Sequence, residues 1–574
     1  MRSIGAVRLK RLVTLALGLL AMGGLATAPA LARRPSDRGS ASDLAPAHTH
    51  ARARVAAKHG PTPSAALASL LHSAAISEAT YHQDYSAYVA AKSSLGRLSG
   101  TRKTELGAVL ANVQSMAAAG ELIPSRLPAL FLTLERNRQW WTTEPLLASD
   151  ERVSFPGSHI VWEHYPGQGI EIQWLATFGE ANGYYLSGNE NANLRQLLAE
   201  VIPLATQRAG GIAWEYMFQF DGGRPPWTSG LSQGTALQLL SRDYSRFKEP
   251  AVLTAAQEAL GIFKTPPPSG VRVTSSLGAH YLEYTYAPTD RILNGEIQAL
   301  VGLYEYTSIT KDPAGLQLFE AGDAEERTRT PLYNTGYWSM YDQYGESDLN
   351  YHELLTEFLQ HLCERTRKGE PLTSTSAPAP ATPATPTTTT PTPTTPTTTT
   401  PAGGTAGGTT GGTTETSGTT GGASGSANAA RYIARAASTQ AASSTDTARA
   451  AAAASAAPTQ IAGDQIYCTT AEAFTADLHT PPQIALVTTT LPTSARAGVQ
   501  VSLSKVATVH LTVRLGGTVV YSNSATVERG KPKLLWPTPA KGGSYAVTLT
   551  ATDLAGNFAT ASGTITVAKG AKAH

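Results

Sequence analysis

Residues 371–428 run Pro/Thr-rich and then Gly/Thr-rich, and a stretch of that composition cannot bury a core. The Pro/Thr half reads as an extended, semi-rigid spacer and the Gly/Thr half as flexible chain. Ala429–Ala457 is alanine-rich and reads as transiently helical. Any compact fold must therefore come from the sequence on either side. The only two cysteines, Cys363 and Cys468, flank this tract. In an exported protein an isolated pair is most simply a disulfide, with two separate buried thiols as the alternative. A bond would close a loop of about 105 residues and stabilise by ~4–5 kcal/mol in the chain-entropy model, less if the tract is locally ordered. On that reading residues 367–460 are an insertion within one domain. The short helix expected in residues 465–482, with Ala473, Phe474 and Leu478, then completes the helical domain and starts no new one.

Export is itself expected from the N-terminus. Arg2, Arg8, Lys10 and Arg11 precede an apolar run, Leu12–Leu25, and Ala30-Leu31-Ala32 fits a small-x-small cleavage site. That run is shorter than the ~20 residues a spanning helix needs. Residues 1–32 are thus read as a signal peptide and 33–64 as a disordered lead-in, which makes the protein secreted or cell-wall-associated, from a bacterium. At 574 residues the chain exceeds one ordinary core. Its formal charge is +2 with 15% charged residues, and no basic stripe with interleaved aromatics occurs, so nucleic acid is not an expected partner.

The folded part is expected to be mainly α. Ala65–Leu95, Thr101–Ala119 and Leu127–Arg138 carry apolar residues at helical spacing. In residues 161–188, Trp162, Tyr165 and Pro166 read as a glycine-bounded turn before a helix. A second helix is expected over Asn191–Arg208. Ser229–Tyr244 then pairs with Ala251–Lys264, and Ile292–Tyr306 with Pro313–Arg329, the last begun by Asp312-Pro313. Strand-like alternation appears in residues 212–220 and 280–286; a regular strand would put Glu283 and Tyr284 on opposite faces. Repeated helical hairpins over 65–366 plus 461–481 point to an α/α toroid, an incomplete (α/α)6-like barrel. Residues 482–569 alternate strictly, as in Val509, Leu511, Val513 and Leu515, and read as a small immunoglobulin-like β-sandwich without a site.

Residues 331–362 concentrate five tyrosines, Tyr333, Tyr337, Tyr341, Tyr344 and Tyr351, in a loop that runs into a helix. Three segments, WTSGLSQGTALQLLSRDY (227–244), YLEYTYAPTDRILNGEIQALVGLYEY (281–306) and YNTGYWSMYDQYGESDLNYHELLTEFLQHL (333–362), resemble, in order, the C-terminal domain of D-glucuronyl C5-epimerases. Those enzymes turn glucuronic into iduronic residues in glycosaminoglycans. The resemblance implies that Glu283 and Tyr284 match the family's Glu-Glu-Tyr-Pro element. Tyr333 matches its Tyr-Asp-Thr-Gly element, and Tyr351 its downstream Tyr-His pair. Two departures stand out: Leu282-Glu283-Tyr284-Thr285 lacks one acid and the proline, and Tyr341-Asp342-Gln343-Tyr344 replaces Tyr-Asp-Leu-Arg and its basic residue.

The chemistry implied is removal of the C5 proton beside a uronate carboxylate and its return from the other face, which needs a base on one side and an acid on the other. Tyr284, Tyr333, Tyr351 and Glu283 are the expected catalytic residues. Arg242, Arg291, Gln233 and Asn294 are candidates to stabilise the enolate-like carboxylate, and Trp227 to stack on sugar. Tyr337, Tyr341 and Tyr344 read as walls, and His352 as structural at the helix start. The expected partner is a uronic-acid-containing polysaccharide, with cell-wall association through the β-sandwich. No metal-ligand spacing stands out and no cofactor is expected. A lyase that starts with the same proton abstraction and a non-catalytic glycan-binding protein are the competing functions. A glycosidase wants two placed carboxyls; Glu283 offers one, and Glu215 is the weak choice for the other.

Overall fold

The computed structural model describes residues 60–367, 465–494, 496–538 and 542–568. The expected signal peptide, almost all of the lead-in and the low-complexity insertion lie outside these residues. The described chain is helix-rich with small sheets. Four helices come first: α1 (Pro63–His72), α2 (Glu78–Arg97), α3 (Gly100–Ala118) and α4 (Leu127–Thr143). The periodicity over 65–95 is broken into two helices; Ser77 caps the second by accepting from Thr80 N at 3.1 Å.

The stretch read as a turn and a helix is a small antiparallel sheet before the helix. Strands β1 (Arg152–Val153), β2 (Trp162–Tyr165) and β3 (Gly169–Ile172) lie in that order, and Glu163 faces Glu171 across β2 and β3. Helix α5 (Trp174–Ser187) follows, ended by Gly188 at φ +76°. Helix α6 is Asn191–Val201 only; the chain tightens at Ile202–Leu204 around Pro203 and becomes strand β4 (Thr206–Arg208), paired with β5 (Gly211–Ala213). The expected Asn191–Arg208 helix is thus stopped by a proline that cannot continue the backbone ladder.

Next come α7 (Gly230–Phe247), α8 (Pro250–Ala259), α9 (Gly261–Lys264), the β6–β7 hairpin (Arg272–Thr274, Ala279–Tyr281), α10 (Leu293–Thr310), α11 (Pro313–Arg329) and α12 (Leu349–Arg367). Helices α5, α7, α10 and α12 pack side by side in succession, and α6, α8 and α11 back the first three. Helix α13 (Ile466–Asp477) backs α12. Phe474 on α13 is fully buried in the same core as Leu355 and Leu359, and Cys468 is disulfide-bonded to Cys363 across 105 residues of sequence. Helix α13 thus shares a core and a disulfide with α12.

The close packing of α7 on α10 has a local cause. A Cβ on Gly234 would stand 2.7 Å from Gln298 O, and one on Gly302 2.2 Å from Gly234 O. At the far ends of these helices Glu305 of α10 meets Arg242 of α7 at 2.6 Å and also Arg365 of α12, while Arg242 reaches Asn182 of α5 at 3.1 Å. Burial pushes the Glu305 carboxyl up, but the two guanidiniums outweigh it and hold it at about 2.

The C-terminal strands form a five-stranded sheet, ordered β12-β11-β14-β15-β9, and a three-stranded sheet, β13-β10-β8. In chain order these are β8 (Ile484–Leu486), β9 (Thr490–Leu491), β10 (Gly498–Leu503), β11 (Ala507–Leu515), β12 (Thr518–Val527), β13 (Lys533–Leu535), β14 (Gly543–Asp553) and β15 (Phe558–Val567). Val499, Val501 and Leu534 of the small sheet share one core with Val509, Leu511, Leu549 and Ile565 of the large one. This β unit is fastened to the helices. Lys505 is 1% exposed, pairs with Asp553 at 2.9 Å, donates to Asp477 O at 2.8 Å, and lies 5.2 Å from the Trp338 ring centroid. Val506 N donates to Glu346 at 3.3 Å, and Arg529 pairs with the same carboxylate.

Candidate active site

The site is assembled where the β6–β7 hairpin runs toward α10. Strand β7 ends at Tyr281, so Glu283 and Tyr284 do not alternate across a regular strand. Instead Gly230, the first residue of α7, donates its amide to Glu283 O at 3.0 Å and Leu282 O at 3.2 Å. Thr285 N donates to Thr228 O at 3.1 Å. A side chain at position 230 would meet Leu282 O at 2.3 Å, so only glycine admits this approach. The carboxylate of Glu283 is covered by α10: a Cβ on Gly295 would lie 3.1 Å from Glu283 Oε2, an atom without a hydrogen-bond partner. Burial pushes the Glu283 carboxyl up to about 7, against a hydrogen bond from Tyr284 that favours its ionised form.

The tyrosine-rich loop closes over this pair. Tyr341 O accepts from Leu293 N at 3.2 Å, satisfying the first amide of α10, and Gln343 bridges from Arg291 N (2.9 Å) to Thr289 O (3.0 Å). Asp342 Oδ1 turns the chain by accepting from Tyr344 N at 2.7 Å and Gly345 N at 2.8 Å. Helix α12 begins under Asp348, whose carboxylate accepts from Tyr351 N at 2.9 Å. The rings of Tyr341 and Tyr351 stand 4.7 Å apart, centroid to centroid. Glu283 and Tyr284, Tyr284 and Tyr341, and Tyr341 and Tyr351 lie near enough, pair by pair, to perturb one another's ionisation. Burial, followed by the charge of Glu283, pushes all three hydroxyls above the usual phenol range. Each is therefore an acid in the free protein at neutral pH, beside a carboxyl poised to take a proton.

Tyr333 is not part of this row. Its hydroxyl donates to Arg291 O at 2.8 Å and is influenced by Arg329, Glu326 and Glu296, none of them a member of the row. Tyr341, read from the sequence as a wall, stands where Tyr333 was expected. Tyr344 is 75% exposed. His352 has the structural role expected of it: it stacks on Trp338 at 3.7 Å and bonds Ser339 Oγ and Phe474 O.

The substrate-binding candidates divide. Arg242 is committed to Glu305, three turns along α7 from the site. Gln233 and Asn294 are fully buried beneath the site. Gln233 donates to Trp214 O at 3.1 Å, and both amide atoms of Asn294 lack partners. Trp227 is also packed, its indole donating to Phe218 O at 2.8 Å and its ring stacked on Tyr216 at 4.3 Å, with Tyr284 edge-on at 5.7 Å. Arg291 is half-buried next to the Tyr341 segment, its guanidinium on the carbonyls of Pro288 and Asp290.

A carboxylate that the sequence reading missed joins from the N-terminal sheet. Glu163 on β2 is 6% exposed, pairs with Arg152 at 2.9 Å, and bears electrostatically on Tyr165, Tyr216 and Tyr351. Glu283 acts on Tyr216 and Tyr351 as well, so the two acids flank one group of phenols. Glu215, the earlier choice for a second acid, is bound by Arg126 (2.6 Å) and Arg208 (2.6 Å) with no exposed side chain. Nothing in the four residues of β2, Trp-Glu-His-Tyr, alternates clearly enough to point to Glu163, and the glycines that follow read as a turn.

Comparison with known proteins bears on this region. Residues 208–376 match the model of the D-glucuronyl C5-epimerase C-terminus. A D-glucuronyl C5-epimerase of Caenorhabditis elegans is 30% identical over 131 residues, covering 21% of each chain. An uncharacterized protein of Methanocaldococcus jannaschii is 27% identical over 151 residues, covering 25% of this chain and 49% of its own. The chain thus spans about half or less of these relatives. A crystal structure of a sugar epimerase from a ruminal bacterium is similar over 35% of this chain and 55% of its own, at 13% identity and a TM-score of 0.26. Tyr284, Tyr341, Tyr351 and Glu283 all fall inside the segment that is similar to the D-glucuronyl C5-epimerase C-terminus.

Proposed function

We propose that this protein is a carbohydrate epimerase that inverts C5 of uronic acid residues in a polysaccharide. The observation that carries this reading is the row Glu283–Tyr284–Tyr341–Tyr351, a carboxyl raised to about 7 beside three protonated phenols. A carboxyl at that pKa is a competent base near neutral pH. Tyr284 takes the C5 proton as its own proton passes to Glu283. Tyr351, through Tyr341, delivers a proton to the opposite face of C5. The proton taken up at Glu283 and the one lost at Tyr351 balance, so the cycle closes by transfer along the row or through solvent. Arg291 is the nearest of the proposed cations to the Tyr341 segment and is assigned to the uronate carboxylate.

The succession of helical hairpins supports an α/α toroid as the frame of this site, and the two sheets with one core support an immunoglobulin-like sandwich after it. The N-terminal sequence supports a secreted or cell-wall-associated bacterial enzyme. The full chain should be screened on uronate-containing polysaccharides in heavy water. Deuterium at C5 without chain cleavage is the expected result. New unsaturated ends would instead indicate a lyase. New reducing ends would indicate a hydrolase that uses Glu163 and Glu283. Retention on the polysaccharide without any reaction would indicate a glycan-binding protein.

A further inference from the structure

We propose that His280, Glu296 and Glu326 form a binding site for a first-row divalent metal ion, Zn2+ or Mn2+ in preference to Ca2+. The three side chains come from β7, the first turn of α10 and the last third of α11, and their ligand atoms lie within 4.8 Å of one another. None is more than 1% exposed. His280 Nδ1 stands 3.1 Å from Glu296 Oε2, yet neither ring nitrogen makes a hydrogen bond. Glu296 Oε1 and Glu326 Oε2 also lack partners. Their second oxygens are used: Tyr281 N donates to Glu296 Oε2, and Thr330 Oγ1 donates to Glu326 Oε1 at 2.7 Å. Each carboxylate is thus oriented by one hydrogen bond and presents its other oxygen, which is how neighbouring groups aim ligands at a metal.

Two buried carboxylates facing each other cost several kcal/mol apiece in desolvation unless charge is supplied. Two carboxylates and a neutral imidazole balance one divalent cation. Arg329, close to Glu296 and Glu326, and Arg291, which bears on His280, oppose the cation; Glu325 offsets Arg329, 3.7 Å away. One nitrogen and two oxygens suit Zn2+ or Mn2+, whereas Ca2+ takes six to eight oxygens. Bonds of about 2.1 Å place ligand atoms about 3.0–3.4 Å apart, so a pair separated by as much as 4.8 Å draws together by about 1–2 Å when the ion binds.

The site ties the strand before Glu283–Tyr284 to the helix that covers Glu283, since Glu296 follows Gly295 directly. The ion is assigned a positioning role. It touches no member of the tyrosine row, and its presence does not depend on which reaction the row performs.

The test is metal analysis of purified full-length protein after dialysis against Zn2+ or Mn2+ and removal of free metal. Thermal unfolding with and without 1,10-phenanthroline accompanies it. The expected result is about one ion per chain and a midpoint that falls by several degrees on chelation. Glu326→Gln, which keeps volume and one oxygen, and His280→Gln should each lower metal affinity by at least about tenfold and abolish the chelator effect. If both variants fail to fold, X-ray absorption on the wild-type protein decides, with one imidazole and oxygen ligands expected. Wild-type protein that holds no ion, variants that hold as much as wild type, or a metal edge without a nitrogen ligand would each overturn the site.

Discussion

The tension at Glu283 sits in a single side chain. A carboxyl ionised only near pH 7 and lacking a partner on Oε2 is held there by Gly295 and by the amide of Gly230. Its folded pKa lies above its ordinary value, so protonation favours the folded state. That contribution is fully present below about pH 4.5 and is lost as pH rises through about 7. Glu283→Gln should therefore leave stability near pH 5 almost unchanged and raise it by on the order of 1–3 kcal/mol at pH 8, measured by urea unfolding. In the same range the activity of the wild-type protein should rise with pH through about 7, and Glu283→Gln should lose that limb along with most of its rate. A stabilising change that abolishes turnover marks a residue kept for chemistry. The sequence shows Glu283 and Tyr284 side by side, but it does not show that Tyr341 rather than Tyr333 lies beside them. Both precede short turns of similar composition, and only the bond from Leu293 N to Tyr341 O, a contact 48 residues apart in sequence, selects between them.

Among the elements, the long helices of the epimerase-like segment were legible because each buries an apolar stripe between clear stops. Asp312 and Pro313 start α11, and Ser229 caps α7 by accepting from Ser232 N at 3.3 Å. The β2–β3 hairpin was not legible, since strands this short show too little alternation to outweigh their glycines, and Glu163 was lost with it. The His280, Glu296 and Glu326 cluster escaped for another reason: its members are far apart in sequence, with no local spacing to read. Arg242 is a third kind of case, a cation whose place in the chain says nothing about its partner. Glu305 now gives it one and ties α10 to α7 and α12. Glu305→Gln should destabilise by ~3–5 kcal/mol, because Arg242 and Arg365 are left without their countercharge. The carboxyl is depressed to about 2, so its stabilisation is present above about pH 4.5 and fades as pH falls toward 2; the wild-type advantage over Glu305→Gln should shrink across that window in thermal melts.

For the molecule as a whole, the helices on either side of the low-complexity tract in sequence, α12 and α13, pack together. The Cys363–Cys468 bond closes over that tract and keeps α13 on α12, where Phe474 O receives His352. Cys363→Ser with Cys468→Ser should lower stability by up to ~4–5 kcal/mol, read by chemical denaturation against the oxidised wild type. The β unit, expected from sequence to have no site and to mediate cell-wall association, contacts the loop that carries Tyr341: Glu346 receives Val506 N and Arg529, and Lys505 packs on Trp338. Sequence patterning showed the strands but could not show the docking, which rests on a few polar contacts between distant segments.

The central claim is that Tyr284, Tyr341 and Tyr351, with Glu283, make one proton-handling site that excludes Tyr333. The most direct measurement is the rate of deuterium incorporation at C5 of a uronate polysaccharide in heavy water for Tyr341→Phe and Tyr333→Phe beside the wild type. Loss of about 10²–10⁴-fold for Tyr341→Phe, with Tyr333→Phe within a few-fold of wild type, is the predicted result. Full exchange in Tyr341→Phe, or loss confined to Tyr333→Phe, would contradict it.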